Sequence, residues 1–139
     1  MPLKLSITTP EGLVHQGEAM FVVVPALDGE LGILPRHAPL IGQLGVGELR
    51  VRPASGKSEE RFFLSGGFLQ ILKDQVLVLA TRAEPARAID RARAEEELRR
   101  LRDEPTPPGT PADALAERLE LIRAAAARVK VASRARVAG

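Results

Sequence analysis

Apolar and polar residues alternate from the start of the chain, with Leu3, Leu5 and Ile7 set against Lys4, Ser6 and Thr8. That is the two-residue period of a strand with one buried face. Pro10-Glu11-Gly12 reads as a turn. Ala19 to Val24 is almost wholly apolar, as expected of a strand covered on both faces. Leu49 and Val51 alternate with Glu48, Arg50 and Arg52, and further strands are predicted at Arg61 to Ser65, Phe68 to Leu72 and Val76 to Thr81. Gly66-Gly67 and Lys73-Asp74 are predicted turns between them. From Val22 to Val51 the chain is apolar yet broken by Gly29, Gly32, Gly42, Gly45 and Gly47, while Pro25, Pro35 and Pro39 withhold ladder donors. Short strands with glycine corners predict a β-sandwich or flattened barrel over residues 1–84.

Beyond Pro85 the period changes. Ala94, Leu98 and Leu101 share one face of a helix predicted over 86–102. Glu95 and Arg99, and Glu96 and Arg100, stand four apart in the favourable order, each pair contributing about 0.2–0.5 kcal/mol. Pro105-Thr106-Pro107-Pro108-Gly109 stops that helix. Thr110 is a fitting N-cap and Pro111 a fitting first residue for a second helix reaching about Ala135, with Asp113 in its first turn. Its expected apolar stripe is Leu115, Leu119, Ile122, Ala126 and Val129. Two helices joined by a short Pro-Gly loop predict an antiparallel hairpin. The fold class is therefore α+β: an N-terminal sandwich, 1–84, and a C-terminal two-helix hairpin, 85–139. Ala124 to Ala127 offers little area to bury, yet alanine is the best helix former. Such a segment favours helix strongly and any one docking weakly, which suits a helix that changes partners; a plain surface hairpin fits the pattern too.

Composition sharpens that boundary. All four Phe and ten of the twelve Gly precede Pro85. Residues 1–84 carry eight Lys and Arg against nine Asp and Glu, and residues 85–139 twelve against nine, leaving the chain at +2. So slight an excess, with acids interleaved and no aromatic after Phe68, argues against nucleic acid as a partner. The absence of cysteine excludes a disulfide framework, a thiol nucleophile and a thiolate metal site. No apolar run is long enough for a membrane span and no signal pattern opens the chain. The expectation is a soluble protein without direct membrane insertion, whose association with any membrane runs through a partner.

Enzyme motifs are missing as well. No phosphate loop ends in Gly-Lys-Ser/Thr, no serine nucleophile pattern is present, and Gly45-Val46-Gly47 lacks the helix a dinucleotide fingerprint needs. His15 and His37 are the only histidines and lie outside any metal-ligand spacing, so neither a metal site nor a catalytic residue is expected. In the loop around Asp28, Glu30 and His37, apolar Leu31, Ile33 and Leu34 sit among the charges, a composition suited to a contact surface. Asp90 and Arg93 are three apart, which the start of a helix explains in full.

Several ordered motifs also carry a resemblance. Asp28-Gly-Glu-Leu-Gly-Ile-Leu-Pro-Arg-His-Ala-Pro-Leu40 precedes a Gly-x-Leu-x-Val strand at Gly47–Val51. Ser65-Gly66-Gly67-Phe68-Leu69 and Ile89-Asp90-Arg91-Ala92-Arg93-Ala94 follow. Together they resemble the epsilon subunit of bacterial F-type ATP synthases over essentially the whole chain. The resemblance implies a non-catalytic central-stalk subunit, peripheral on the cytoplasmic face of the inner membrane. Its sandwich would dock on the gamma subunit and the rotor c-ring, with Glu30, Leu31 and His37 as contacts. Its helices would form a mobile arm restraining ATP hydrolysis. In the extended arm, Arg123, Arg128, Lys130, Arg134 and Arg136 would meet an acidic segment of the catalytic head.

The resemblance further implies a regulatory ATP site and no required cofactor. Ile89, Asp90, Arg93 and Ala94 would form its core, the acid meeting ribose or adenine and the arginine meeting phosphate; Glu84 and Arg100 fall at matching places. Arg123 and Arg128 depart from the pattern. They stand five apart, about 140° round a helix, where ATP-binding members carry two arginines one turn apart, so weak ATP binding is the expectation. A reading from another class stays open beside this one: a freestanding β-sandwich binding module whose basic helical arm grips an acidic protein.

Overall fold

The chain closes one sheet on itself and lays two helices across its outside. The computed structural model describes residues 2–138. Its strands are β1 (Leu3–Thr9), β2 (Gly12–Ala26), β3 (Gly29–Ile33), β4 (Leu40–Gln43), β5 (Val46–Pro53), β6 (Glu60–Leu72) and β7 (Gln75–Pro85). A 3-10 turn at Ala86–Ala88 leads to α1 (Arg91–Asp103) and α2 (Ala112–Ala138). The strands pair in the order β1-β7-β6-β5-β2-β3, with β4 on β6 and a further pairing of β1 with β2 that closes the circuit into a flattened barrel. All pairings are antiparallel except β1 with β7.

Two long strands make the sandwich. β2 pairs β1 through its first half and β5 and β3 through its second. β6 pairs β5 up to Ser65 and β4 from Phe68. The turn expected at Gly66-Gly67 is therefore not a turn: β6 runs straight through both glycines and changes partner there. Each adopts a positive φ, 71° and 115°, and a Cβ on Gly67 would overlap the Leu79 carbonyl oxygen. The Gly66 N–H donates to Gly45 O (3.1 Å) and the Leu44 N–H to Gly67 O (2.9 Å), so both glycines stay bonded to the Leu44-Gly45 link between β4 and β5. Lys73-Asp74 does form the β6–β7 turn, both residues at positive φ.

Leu3, Leu5, Ile7, Val22, Val24, Ile33, Leu49, Val51, Leu64, Ile71, Val76 and Val78 are almost fully buried and form one core. A second buried cluster lies outside the barrel, where Phe63 meets Ala86, Ile89, Ala94, Val131 and Ala132. Phe62 and Phe63 point to opposite faces of β6, one into each cluster.

The helices differ from expectation in detail. α1 begins only at Arg91, because Asp90 is its N-cap: the carboxylate accepts the Arg93 N–H at 3.1 Å. α2 begins at Ala112, its first helical bond running from Leu115 N to Pro111 O (3.1 Å), while the Thr110 hydroxyl donates to Pro107 O. Only the C-terminal part of the expected stripe on α2 is covered: Ile122, Ala126 and Val129 are half-buried, with Val129 packed on the outer cluster. Leu115, Leu119 and Leu121 are exposed, whereas Ala125, Val131 and Ala132 are buried. α2 makes its hold with its C-terminal half, where small side chains let it approach the sheet.

Candidate functional site

Three surfaces stand out, two of them carrying residues that the sequence singled out. The first is the β2–β3–β4 edge. Glu30 is the second residue of β3 and accepts a hydrogen bond from Arg50 Nη1 at 2.9 Å. Burial alone would lower the Arg50 pKa; its hydrogen bond to Glu30 and the charges of Glu30 and Glu48 outweigh that and raise it. Leu31 is half-buried against the core and Ile33 is wholly inside it. Leu34 stands out at 58 % exposure, and Leu27 in the β2–β3 turn is exposed as well. His37 lies past the other end of β3, its Nδ1 2.7 Å from Ala38 O. The Arg36 N–H, at a positive φ, donates to Asp74 Oδ1 at 2.7 Å and ties this loop to the β6–β7 turn.

The second surface is the outer face of β4, β6 and β7. Phe68 lies opposite Gln43 on one side and Leu79 on the other, and Ile41 pairs with Gln70 in the next row. Ile41, Phe68 and Leu79 are all large and exposed. Side chains two apart on a strand share a face, so these make one apolar patch on a sheet.

The third is where the helices meet the barrel. Glu48 on β5 pairs with Phe63 on β6, and Phe63 pairs with Glu84 on β7. The three residues form a lateral row: carboxylate, aromatic ring, carboxylate. α2 crosses this row. Arg128 donates to Glu84 through Nε (3.1 and 3.2 Å) and Nη2 (3.0 Å), and through Nη1 to Glu97 of α1 (3.4 Å). Val131 joins Phe63 in the outer cluster. Arg134 Nη1 stands 3.1 Å from Glu48 Oε1. The Glu48 side chain is only 8 % exposed, with Arg50 and Arg61 at 3.6 and 3.9 Å. Neither of its oxygens receives an aligned hydrogen bond from a protein group.

The residues of the expected ATP site are only partly brought together. Glu84 and Arg128 meet, and Ile89 and Ala94 lie beneath them in the outer cluster. Asp90 and Arg93 sit at the α1 start, where their side chains stand 3.7 Å apart and Arg93 is 86 % exposed. Arg100 lines a shallow hollow with Asp103 and Glu104 at the far end of α1. Arg123 pairs with Glu120 on the exposed side of α2. The Arg128 guanidinium is therefore occupied by two carboxylates. Arg136 lies outside the residues whose side chains are described.

Sequence reasoning missed Glu48, Phe63, Glu97 and Arg118. Arg118 of α2 donates to the Leu101 and Glu104 carbonyls and to the Thr106 hydroxyl, closing the hairpin by capping the end of α1. The doubled Phe62-Phe63 was a readable sign of a strand covered on both faces. Among the described residues no three His, Asp or Glu side chains are placed to hold a metal ion.

A closed flattened barrel of seven strands bearing a two-helix appendage, with an exposed apolar patch on one sheet face, defines the class of the fold. Residues 2–86 match the family model described as the ATP synthase delta/epsilon chain beta-sandwich domain. An ATP synthase epsilon chain of Moorella thermoacetica is 42 % identical over 141 residues, covering 99 % of this chain and 96 % of the relative. One from Alkalihalophilus pseudofirmus is 46 % identical over 97 residues, 68 % of this chain and 71 % of the relative. The chain belongs to the ATP synthase epsilon chain family. In fold it is similar to a chain of the Euglena gracilis mitochondrial ATP synthase OSCP/F1/c-ring assembly, with TM-score 0.73 and 24 % identity over 88 % of this chain and 78 % of that one. A chain of the Tetrahymena thermophila mitochondrial ATP synthase central stalk and c-ring gives TM-score 0.62 at 12 % identity, over 95 % and 97 %.

Proposed function

We propose that this chain is a non-catalytic central-stalk subunit of an F-type ATP synthase, coupling the rotor to the catalytic head and restraining ATP hydrolysis through its helical arm. The observation that carries the reading is the Moorella relative, because that similarity runs through arm as well as sandwich. The apolar patch of Ile41, Phe68 and Leu79 supports docking on a stalk subunit of the gamma type. The Glu30, Leu31 and His37 edge, with exposed Leu34, supports contact with a rotor c-ring. No described helix is long and apolar enough to cross a membrane. That agrees with a peripheral position at the cytoplasmic face of a bacterial inner membrane, held there by partners. Released from the sheet, Arg123, Arg128, Lys130 and Arg134 would face an acidic segment of the head as charge-assisted donors. ATP would act as a weak regulatory ligand around Asp90 and Arg93, since Arg128 is already neutralised.

Affinity purification of the tagged chain from its native membrane tests this reading. Stalk, c-ring and head subunits should come with it. Replacing Ile41 and Phe68 with Ser should break the association without unfolding the chain. A tagged chain that purifies free of all three would overturn the proposal.

A further inference from the structure

α2 meets the sheet in a register that its sequence and the sheet share. Arg128, Val131 and Arg134 are spaced i, i+3 and i+6, an i±3 ridge of the helix. Six residues of helix rise about 9 Å. Glu84, Phe63 and Glu48 lie on three adjacent strands, and two strand spacings measure roughly 9.5 Å. A helix laid across the strands therefore sets one arginine over each carboxylate and the valine over the ring. The rest of the interface is thin, for Ala124, Ala125, Ala127 and Ala132 supply much of the apolar contact. The N-terminal half of α2 leaves Leu115, Leu119 and Leu121 exposed.

We propose that the row Glu48–Phe63–Glu84 is an ionic latch that reads Arg128, Val131 and Arg134 and fixes the position of α2. The latch opens when its charges are screened or when another acidic surface competes for the two arginines. Glu48 is its most demanding member. Its side chain is almost wholly covered, its oxygens lack aligned hydrogen bonds, and its charge is met by Arg50, Arg61 and Arg134. A carboxylate buried in this way is costly without cations beside it, so lifting Arg134 off the sheet forces Glu48 to rehydrate. Glu84 shares Arg128 with Glu97, so one end of the latch also ties α1 to α2. The latch needs no nucleotide. That the same arginines turn to an acidic head segment when freed rests on the proposed function; the latch itself does not.

The chain contains no cysteine, so spin labels can be placed freely at Ser55→Cys and Leu119→Cys, both exposed in the native fold. Electron–electron distance measurement on the isolated chain then reports the docked fraction of the arm. At low salt a single distance is expected. Raising the salt to about 1 M, where the screening length is about 3 Å, should add a second, broad population. Glu48→Gln and Arg134→Gln should each raise the ratio of undocked to docked arm by about five-fold to ten-fold. The double variant should do no more than either alone, and Arg134→Lys, which keeps the cation over Glu48, should retain docking. Glu120→Gln, which breaks a surface pair, is the control. Thermal melting of each variant checks that the sandwich is intact, and Arg134→Gln, changed at a half-exposed helix position, decides the matter if Glu48→Gln does not fold. A docked fraction indifferent to salt and to these changes, or a double variant whose effects add, overturns the latch. Because no other subunit is present, that outcome leaves the proposed function standing, and failure to join a synthase leaves the latch standing.

Discussion

Single residues hold the sandwich corner, the helix start and the arm. Gly67 has no alternative, because its φ of 115° and the Leu79 carbonyl leave no room for a side chain. Gly67→Ala should lower stability by roughly 2–4 kcal/mol, measured by urea unfolding, whereas Gly42→Ala, where a Cβ meets nothing within 4 Å, should cost far less. Asp90 presents a different choice. Its carboxylate is committed to the Arg93 N–H, so Asp90→Ala should cost about 1 kcal/mol of stability by loss of the cap, with or without nucleotide. Arg128 is likewise committed, to Glu84 and Glu97. Calorimetric titration with ATP should accordingly give a dissociation constant of about 1 mM or weaker, near −4 kcal/mol. Micromolar binding would show that a nucleotide displaces those carboxylates easily. Such commitments were not legible in the sequence, because a capping acid, a paired acid and a ligand-binding acid are written with the same letters.

The strands were legible where one face is buried and the other wet. β1 and the Leu49–Val51 segment of β5 follow the two-residue period, and both sit as that period implies. The sheet corner was not legible, for a Gly-Gly pair marks a hairpin turn and a partner-switching bulge alike; which one forms depends on β4 and β5 arriving on the same edge of β6. The arm was misread for a related reason. The leucines of α2 form the stronger helical stripe, yet only the alanine-rich end can come close to the sheet. Exposed Leu119→Ser should therefore leave the melting temperature of the isolated chain nearly unchanged. Phe63→Ala, buried from a face that the periodicity assigns to solvent, should cost roughly 3–5 kcal/mol. The β3–β4 edge separates in the same manner. Ile33→Ser should destabilise the fold strongly because Ile33 is core, while Leu34→Ser should spare folding and weaken only association. Equal melting points for those two variants would contradict this placement of the edge.

At the scale of the whole molecule, the sandwich and the arm are joined by the outer cluster around Phe63 and by the latch on either side of it. Sandwich and arm thus share a surface that is buried only while the arm is down. Truncation after Ala88 should leave a folded barrel, since its core is complete without the helices, but one that binds apolar dyes through bared Phe63. Under the proposed function that shared surface links position to activity: with the arm docked, the arginines are spent on the sheet; with the arm free, they would be available to the catalytic head. The direct measurement is ATP hydrolysis by an F-type head-and-stalk complex stripped of its epsilon chain and titrated with this one. The full chain should bind and lower the rate to a plateau, Glu48→Gln should lower it further by freeing the arm, and the chain truncated after Ala88 should bind without lowering it. A rate that stays unchanged by the bound full chain, or that falls equally with the truncated one, would contradict the account.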